Sequence, residues 1–239
     1  MIEKISITDE SVIDDIRESM PLATDVDKGL LKAGIDLNAM NDGVFIMFHR
    51  KSDDYPLAVK PDKWASYQKS GEIAEGVMVV EGGKILVVAP TEATLYWSSA
   101  AVSAGGKTTT DRETALNDWT GKTSTAAQIT HNECKTESYA PGFCASYERV
   151  NANGQGLTAG KWWLPSLGEL MMIYANMRKI NYALSLINGA TKLSETWYWS
   201  STEYSAPNAW YLSLFGGYAD GYAKATYQGM VRPVSAFLR

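Results

Sequence analysis

The hydrophobic pattern of this chain changes from a helical period to a period of two in its last quarter. Ser166 and Glu169 have the spacing of a helix capping box, and apolar residues follow at helical spacing as far as Gly189, which favours a left-handed stop. Over residues 210–215, large apolar residues then alternate with tyrosine, serine and phenylalanine. This alternation predicts a strand with one face in the core and the other free to meet a partner. A helix followed by such strands predicts a mixed α+β fold with small antiparallel sheets and two or more helices.

Upstream signals predict the start of the main domain. Residues 44–48 have the composition of a strand, and residues 76–80 and 84–89 predict a hairpin that opens the main domain. The first 40 residues have little hydrophobic core of their own. We therefore expect an N-terminal appendage of residues 1–70, used for attachment or oligomerisation, and a ligand-binding domain of residues 71–239.

Composition excludes several classes of partner. With 45% hydrophobic and 21% charged residues, the chain has the composition of an ordered globular protein. Its net charge of -5 and its lack of a basic cluster predict no binding to nucleic acid, whose phosphates require gathered Lys and Arg. No run of about 18 apolar residues occurs, and the first residues lack the layout of a signal peptide, so we expect neither membrane insertion nor a signal peptide.

Candidate catalytic and metal-binding residues are few. The chain has two histidines and lacks the serine nucleophile elbow, the P-loop and the dinucleotide fingerprint. His131 and Cys134 would make a thiol–imidazole pair without an orienting third group, and with Cys144 and His49 they would formally supply four zinc ligands, but close ligand spacing occurs on only one side. We predict that the protein is not an enzyme and holds no metal or cofactor. A disulfide bridge between Cys134 and Cys144 is possible but not required, and we favour free, partly buried thiols.

Four strings in the second half of the chain form a recognisable pattern. They are KWWLPSLGEL at 161–170, YWSSTE at 198–203, AWY at 209–211 and VRPV at 231–234. Together they resemble the bacterial and phage C-type-lectin-fold domains marked by a WxLPxxxEL, YWSST and VRPV pattern. Residues 115–122 and 143–147 are also similar to segments of that family, so the likeness spans about residues 72–237. The resemblance implies a C-type-lectin-like fold for the main domain.

A more specific likeness concerns the stretch before the final VRPV. Its richness in Tyr, Ser, Asn and Gly is similar to the variable proteins of diversity-generating retroelements, in which a reverse transcriptase rewrites adenine-derived codons. Phage tropism determinants, which bind receptors on the bacterial host, belong to that group. The resemblance implies a phage virion protein that binds an unknown protein or glycan receptor on a cell surface. By analogy with tail-fibre proteins, it also implies a homotrimer. The alternative is a bacterial surface module of fixed specificity for carbohydrate or protein.

The same stretch has the composition of a binding surface. Residues 204–228 include five tyrosines, five alanines, three glycines and two serines. Paratopes use similar material, because tyrosine offers a large amphipathic surface with few rotors to freeze. The alternative is an ordinary Gly- and Tyr-rich loop and strand at a sheet edge. We predict that one face displays ten ligand-binding residues: Tyr204, Asn208, Tyr211, Ser213, Phe215, Tyr218, Asp220, Tyr222, Thr226 and Tyr227.

Other large residues are assigned to the scaffold. Their apolar bodies recur where strands and helices should meet; they are Trp163, Leu164, Leu170, Trp199, Trp210 and Val231. Sugar-binding lectins of the fold coordinate calcium through Glu-Pro-Asn-like and Trp-Asn-Asp-like motifs. Here residues 206–208 read Ala-Pro-Asn and residues 116–118 read Leu-Asn-Asp, so a carboxylate is missing and no calcium site is expected. Formylglycine-generating enzymes share the fold, but their paired active-site cysteines have no counterpart in this chain.

Overall fold

Two five-stranded sheets and a long helix organise the computed structural model, which describes residues 42–236. The strands are β1 (Gly43–Arg50), β2 (Tyr55–Val59), β3 (Gly76–Glu81), β4 (Lys84–Val88), β5 (Ala93–Tyr96), β6 (Arg149–Val150), β7 (Gly156–Leu157), β8 (Trp197–Glu203), β9 (Asn208–Ser213), β10 (Ala219–Ala223), β11 (Gln228–Val231) and β12 (Val234–Ser235). The helices are α1 (Trp64–Lys69), which follows a 3-10 turn at Pro61–Lys63, α2 (Arg112–Leu116), α3 (Gly121–Gln128), α4 (Ala140–Ser146) and α5 (Leu167–Leu184). The protein therefore has a mixed α+β fold, as predicted.

The first sheet has the strand order β12-β4-β3-β1-β2, with every pair antiparallel. On β3, Val77 and Val79 enter one apolar cluster, whereas Met78 and Val80 enter another on the opposite face. Because both faces are covered, this strand reads as a continuous apolar run. The predicted hairpin of β3 and β4 is confirmed.

The predicted domain boundary needs correction. β1 pairs with β3 through partners such as Ile46 and Val77, and β2 pairs with β1. β1 and β2 thus belong to the same sheet as the hairpin, and Trp64 of α1 is buried in the main core, so the hairpin does not open the unit. This pairing joins segments separated by a helix and a turn, which local sequence patterns do not reveal. The predicted roles in attachment and oligomerisation were assigned to residues 1–70, of which residues 1–41 lie outside the described residues.

The second sheet has the strand order β10-β9-β8-β11-β5 and is antiparallel except where β11 meets β8. Helix α5 packs between the sheets, against β1 and β3 on one side and β8 and β9 on the other. The main core accordingly joins Val77 of the first sheet, Ile173 of the helix and Leu212 of the second sheet. This arrangement leaves the opposite face of the second sheet to be covered by other elements.

Helix α5 begins where the capping-box spacing predicts. The Glu169 carboxylate accepts a hydrogen bond from the Ser166 backbone N–H at 2.8 Å, which satisfies one of the free donors at a helix start. The helix ends at Leu184, before the predicted stop. Gly189 has a φ of 75°, the left-handed conformation expected of it, in the turn that follows.

The chain crosses from the second sheet to the first at its last described strands. After β11 ends at Val231, β12 pairs with β4 through Val234 and Val88. Between them, Arg232 is buried, forms an ion pair of 2.8 Å with Glu92 and donates to the Ala89 carbonyl oxygen. The VRPV string is thus a fixed junction between the two sheets.

Among residues 42–236, no helix is long and apolar enough to cross a membrane. Cys134 and Cys144 are both free and buried, which confirms the prediction of free thiols.

Candidate ligand-binding face

The alternation of residues along β9 produces one covered and one open side, as predicted. Trp210 and Leu212 are buried in the main core. Tyr211 and Ser213 lie between them in sequence, on the other side of the strand, and are partly exposed. Because successive side chains of a strand point to opposite faces, this half of the second sheet has one face left for contact.

Five aromatic side chains on this open side contact one another. We call them the aromatic cluster: Trp197, Tyr211, Tyr218, Tyr222 and Tyr227. Three of them form a triangle, with ring centroids 5.4 Å apart for Trp197 and Tyr211, 5.4 Å for Trp197 and Tyr222, and 5.5 Å for Tyr211 and Tyr222. Their planes meet at 64° to 71°, the edge-to-face arrangement that aromatic quadrupoles favour.

The outer members of the cluster are the accessible ones. Tyr218 is 52% exposed, Tyr227 is 45% exposed and Tyr222 is 37% exposed. The ring of Tyr227 lies 4.2 Å from that of Tyr222, and the ring of Tyr218 lies 6.3 Å from that of Tyr211. The cluster therefore combines a packed centre with an exposed margin.

Strand register assembles the cluster. Tyr211 lies opposite Trp199 on β8 and opposite Asp220 on β10, which brings Trp197 and Tyr222 to the same face. The ring of Trp197 rests directly on Gly229 of β11, where a Cβ atom would collide with it. A glycine inside a strand often marks such a close approach.

Asp220 supplies the polar centre of the face. Its Oδ2 accepts a hydrogen bond of 2.8 Å from the Tyr218 hydroxyl, and its Oδ1 accepts one of 2.7 Å from the Gly221 N–H. The hydrogen bond to Asp220 raises the pKa of Tyr218, and burial, followed by the charges of its neighbours, raises the pKa of Tyr211. The phenols are therefore neutral at physiological pH and remain able to donate hydrogen bonds.

The ten predicted site residues do not all share this face. Six lie on it or at its margin: Tyr211, Ser213, Tyr218, Asp220, Tyr222 and Tyr227. Phe215, which is 78% exposed, lies in the β9–β10 turn, and the exposed Thr226 lies in the turn before β11.

The predicted positions of Tyr204 and Asn208 need correction. The ring of Tyr204 packs 5.0 Å from that of Trp210 and fills the space over Gly221, on the core side. Asn208 is two residues before Trp210 on β9, so its side chain also leaves on the core side. The prediction that all ten residues share one face is therefore wrong for these two.

Trp197 is not among the ten predicted site residues. It is the half-buried centre of the aromatic cluster, and it also contacts Trp199 at 5.0 Å between ring centroids. The spacing of two residues places both tryptophans on one side of β8. That spacing was a usable signal, but only the register with β9 reveals that Trp197 meets the tyrosines.

At its other end, the same face is covered and consists of buried scaffold residues. Trp199 is fully buried and its Nε1 donates to the Leu95 carbonyl oxygen at 3.1 Å. Trp199 belongs to an apolar cluster separate from the main core, whose buried members include Trp97, Cys134, Leu164, Ala209 and Val231. The predicted scaffold roles of Trp199 and Val231 are confirmed, as are those of Trp163, Leu164, Leu170 and Trp210.

One residue of the tyrosine-rich stretch is also scaffold. The Lys224 side chain is fully buried, and its Nζ lies 2.5 Å from Glu203 Oε2, 2.6 Å from the Val102 carbonyl oxygen and 3.0 Å from that of Ala206. Burial lowers the pKa of Lys224, and the Glu203 carboxylate opposes that shift. Glu203 in turn accepts hydrogen bonds from the backbone N–H groups of Ala104 and Gly106, so the pair fastens the loop after β5 to the sheet.

The polar residues around the start of α5 are likewise engaged. Thr202 donates to Asp118 at 2.7 Å and accepts from the Leu167 N–H at 3.0 Å. Glu169 accepts from the Trp163 Nε1–H, and burial raises the pKa of its carboxyl to about 7. The hydrogen-bonding groups of the WxLPxxxEL and YWSST strings thus hold the scaffold together.

Few of the described residues are suited to catalysis or to binding a metal ion. Burial raises the pKa of the Cys134 thiol to about 12, so the thiol is not ionised at neutral pH and is a poor nucleophile. Within residues 42–236, no group of three or more His, Cys, Asp and Glu side chains lies together as a metal site requires.

Comparisons with known proteins add little. No family model matches the chain, and no curated protein matches it. Among solved structures, it is similar to a fimbrial protein from Bacteroides ovatus, with 19% sequence identity and a TM-score of 0.47. The match covers 63% of this chain and 35% of that protein, so this chain spans about a third of its length. A likeness at this level carries no argument about function.

Proposed function

We propose that this protein is a non-enzymatic receptor-binding protein that presents the aromatic cluster on a C-type-lectin-like scaffold. In this proposal the tyrosines of the cluster and the turns beside them are diversified by a retroelement, and the protein is carried on a phage virion. Its partner is a protein or glycan receptor on a cell surface.

The aromatic cluster carries the proposal. Tyrosine and tryptophan are enriched at binding hot spots because they bury a large area and still offer a polar atom. Three tyrosines of the cluster are more than a third exposed and lie together on one side of a sheet. Contiguous exposed aromatic surface on a soluble domain is typical of an interaction site.

The separation of buried scaffold residues from exposed tyrosines in the second sheet supports the link to variable proteins. Lys224 is buried within the stretch, whereas Tyr218, Tyr222 and Tyr227 make no hydrogen bond to the core. A stretch of this kind tolerates replacement at its exposed positions because the fold does not depend on them. The surrounding strings that resemble the family are engaged in buried contacts.

Binding is tested with a double substitution and a matched control. Tyr218→Ser with Tyr222→Ser should change which strains in a panel of bacteria bind the fluorescently labelled protein. Tyr182→Ser, which removes a 56% exposed tyrosine from α5, should leave the pattern of bound strains unchanged. An unchanged pattern for the double variant, or the same change for Tyr182→Ser, would refute a binding role for the cluster.

Diversification is tested in the DNA around the gene. A nearby near-copy of the 3′ end that differs mainly at adenines, together with a reverse transcriptase gene, is the expected result. If neither is present, the module has fixed specificity and the retroelement part of the proposal fails.

A further inference from the structure

Charge is distributed unevenly over the stretch that carries most of the aromatic cluster. Residues 204–230 contain two charged side chains, Asp220 and Lys224. Lys224 is fully buried and paired with Glu203, whereas Asp220 is partly exposed among the tyrosines. The accessible charge of this stretch is therefore negative.

Asp220 retains capacity for a ligand. Each of its oxygens accepts one hydrogen bond, from the Tyr218 hydroxyl and the Gly221 N–H. An ionised carboxylate offers about four lone-pair positions, so two remain for a donor that approaches from solvent. Tyr211 lies opposite it on β9 and Tyr222 follows it by two residues on the same face of β10, and the faces of aromatic rings are also electrically negative.

The protein already places one cation at the margin of this face. The guanidinium carbon of the exposed Arg112 lies 5.8 Å from the ring centroid of Tyr218, within the range of a cation–π contact. Arg112 belongs to α2, not to the sheet. The contact between Arg112 and Tyr218 therefore shows, within the protein, that this face attracts a guanidinium group.

A sugar ring is less suited to the centre of the cluster. Stacking of a sugar needs an open ring face, but Trp197, Tyr211 and Tyr222 cover one another edge to face, and the Tyr227 ring lies 4.2 Å from that of Tyr222. A guanidinium group, by contrast, can lie against an exposed ring at the margin and donate to a carboxylate at the same time.

We propose that the partner surface recognised by the aromatic cluster is a protein surface that presents an arginine side chain, bound between Asp220 and the neighbouring tyrosine rings. This inference rests on the proposed function and specifies its ligand class. Arg112 occupies part of the same site and competes with the incoming arginine.

The test uses a pair of peptides that differ in charge alone. Ac-Gly-Arg-Gly-Arg-Gly-amide is titrated into the full chain at low ionic strength and followed by tyrosine and tryptophan fluorescence, beside the same peptide with citrulline in place of arginine. We expect the arginine peptide to bind at least about tenfold more tightly, since citrulline keeps the shape and loses the charge. Equal affinity for the two peptides would overturn the inference.

Two variants locate the binding. Asp220→Asn keeps an acceptor for the Tyr218 hydroxyl and should weaken binding of the arginine peptide about tenfold. Asp62→Asn removes the same charge from the exposed 3-10 turn beside the first sheet and should leave the affinity within about twofold. Equal losses in both variants would mean nonspecific attraction and would overturn the inference.

Arg112→Gln tests the competition. Removing the Arg112 guanidinium from the Tyr218 ring should tighten binding of the arginine peptide by about threefold. Lys135→Gln, at an exposed lysine outside the cluster, should have no such effect. No change in Arg112→Gln would refute the shared site.

Failure of this inference can be told apart from failure of the proposed function. If the arginine peptide does not bind but the double tyrosine variant still changes the bound strains, the cluster is a binding face for another ligand class. Saturable binding of methyl α-mannoside, abolished by Tyr218→Ser, would identify that class as carbohydrate.

Discussion

The two five-stranded sheets differ in how their faces are used. In the first sheet both faces of β3 are buried, with Val77 on one side and Met78 on the other. In the second sheet one face lies in the main core, and the other is closed at Trp199 and open at Tyr211. The sheet that carries the candidate site is therefore stabilised from one side and at one end of the other side, which leaves the remaining corner available for contact.

The largest expected effect contrasts two tryptophans on one strand. Trp199→Ala should destabilise the protein by about 3 to 5 kcal/mol, because a fully buried ring and its hydrogen bond to Leu95 are lost. Trp197→Ala, two residues away in the open corner, should cost about 1 to 2 kcal/mol, because fewer contacts are lost. Denaturant unfolding measures both; equal costs would mean that the corner is as closed as the rest of the face.

The buried ion pair should produce the next largest effect. Lys224→Met leaves the Glu203 carboxylate buried without its cation and should cost about 3 kcal/mol. Adding Glu203→Gln removes the orphaned charge, so the double variant should be less destabilised than the sum of the two single variants. Additive losses would show that the two side chains do not act as a pair.

The pH dependence of stability tests the buried start of α5 at Glu169. Burial raises its pKa in the folded protein to about 7, from 4.5. Since the unfolded chain releases this proton at lower pH, the contribution to stability is complete below about pH 4.5 and is lost as the pH rises through about 7.

The measurement compares the protein with a Glu169→Gln variant, which does not titrate. Between pH 5 and 8, the unfolding free energy of the unmodified protein should fall by roughly 2 kcal/mol relative to the variant. Parallel pH profiles would mean that the Glu169 carboxyl is ionised in the folded state throughout.

The smallest expected effect lies in the open corner. Tyr218→Ser with Tyr222→Ser should change the unfolding free energy by less than about 1 kcal/mol, because both side chains are more than a third exposed. Tyr182→Ser on α5 provides the reference for an isolated exposed tyrosine. A loss comparable with that of Trp199→Ala would show that the aromatic cluster is part of the core.

Local sequence patterns were sufficient to predict those elements whose signal lies within a few residues. The spacing of Ser166 and Glu169 predicted the start of α5, and the alternation around Trp210 predicted which side of β9 is buried. They could not predict that β1 joins the sheet of β3 or that β11 runs parallel to β8, because these pairings join distant segments.

The candidate site was likewise predictable only where composition and alternation identify its residues. Composition and alternation identified Tyr211 and Tyr222, which share a face because Tyr211 lies opposite Asp220 and Tyr222 follows Asp220 by two residues. The same alternation, applied strictly, would have removed Asn208, which has the parity of Trp210. Trp197 escaped notice because its contact with the tyrosines depends on register, and register is set by the whole sheet.

The crossing at Arg232 and Pro233 has a consequence for how the protein is made. β12 completes the edge of the first sheet beside β4, so that sheet cannot close until the ribosome has delivered the chain through Ser235. The tyrosine-rich stretch is synthesised before that moment and must fold into place for β11 and β12 to reach their partners. A substitution in this stretch that prevents it from folding would therefore leave both sheets incomplete and expose the chain to proteolysis.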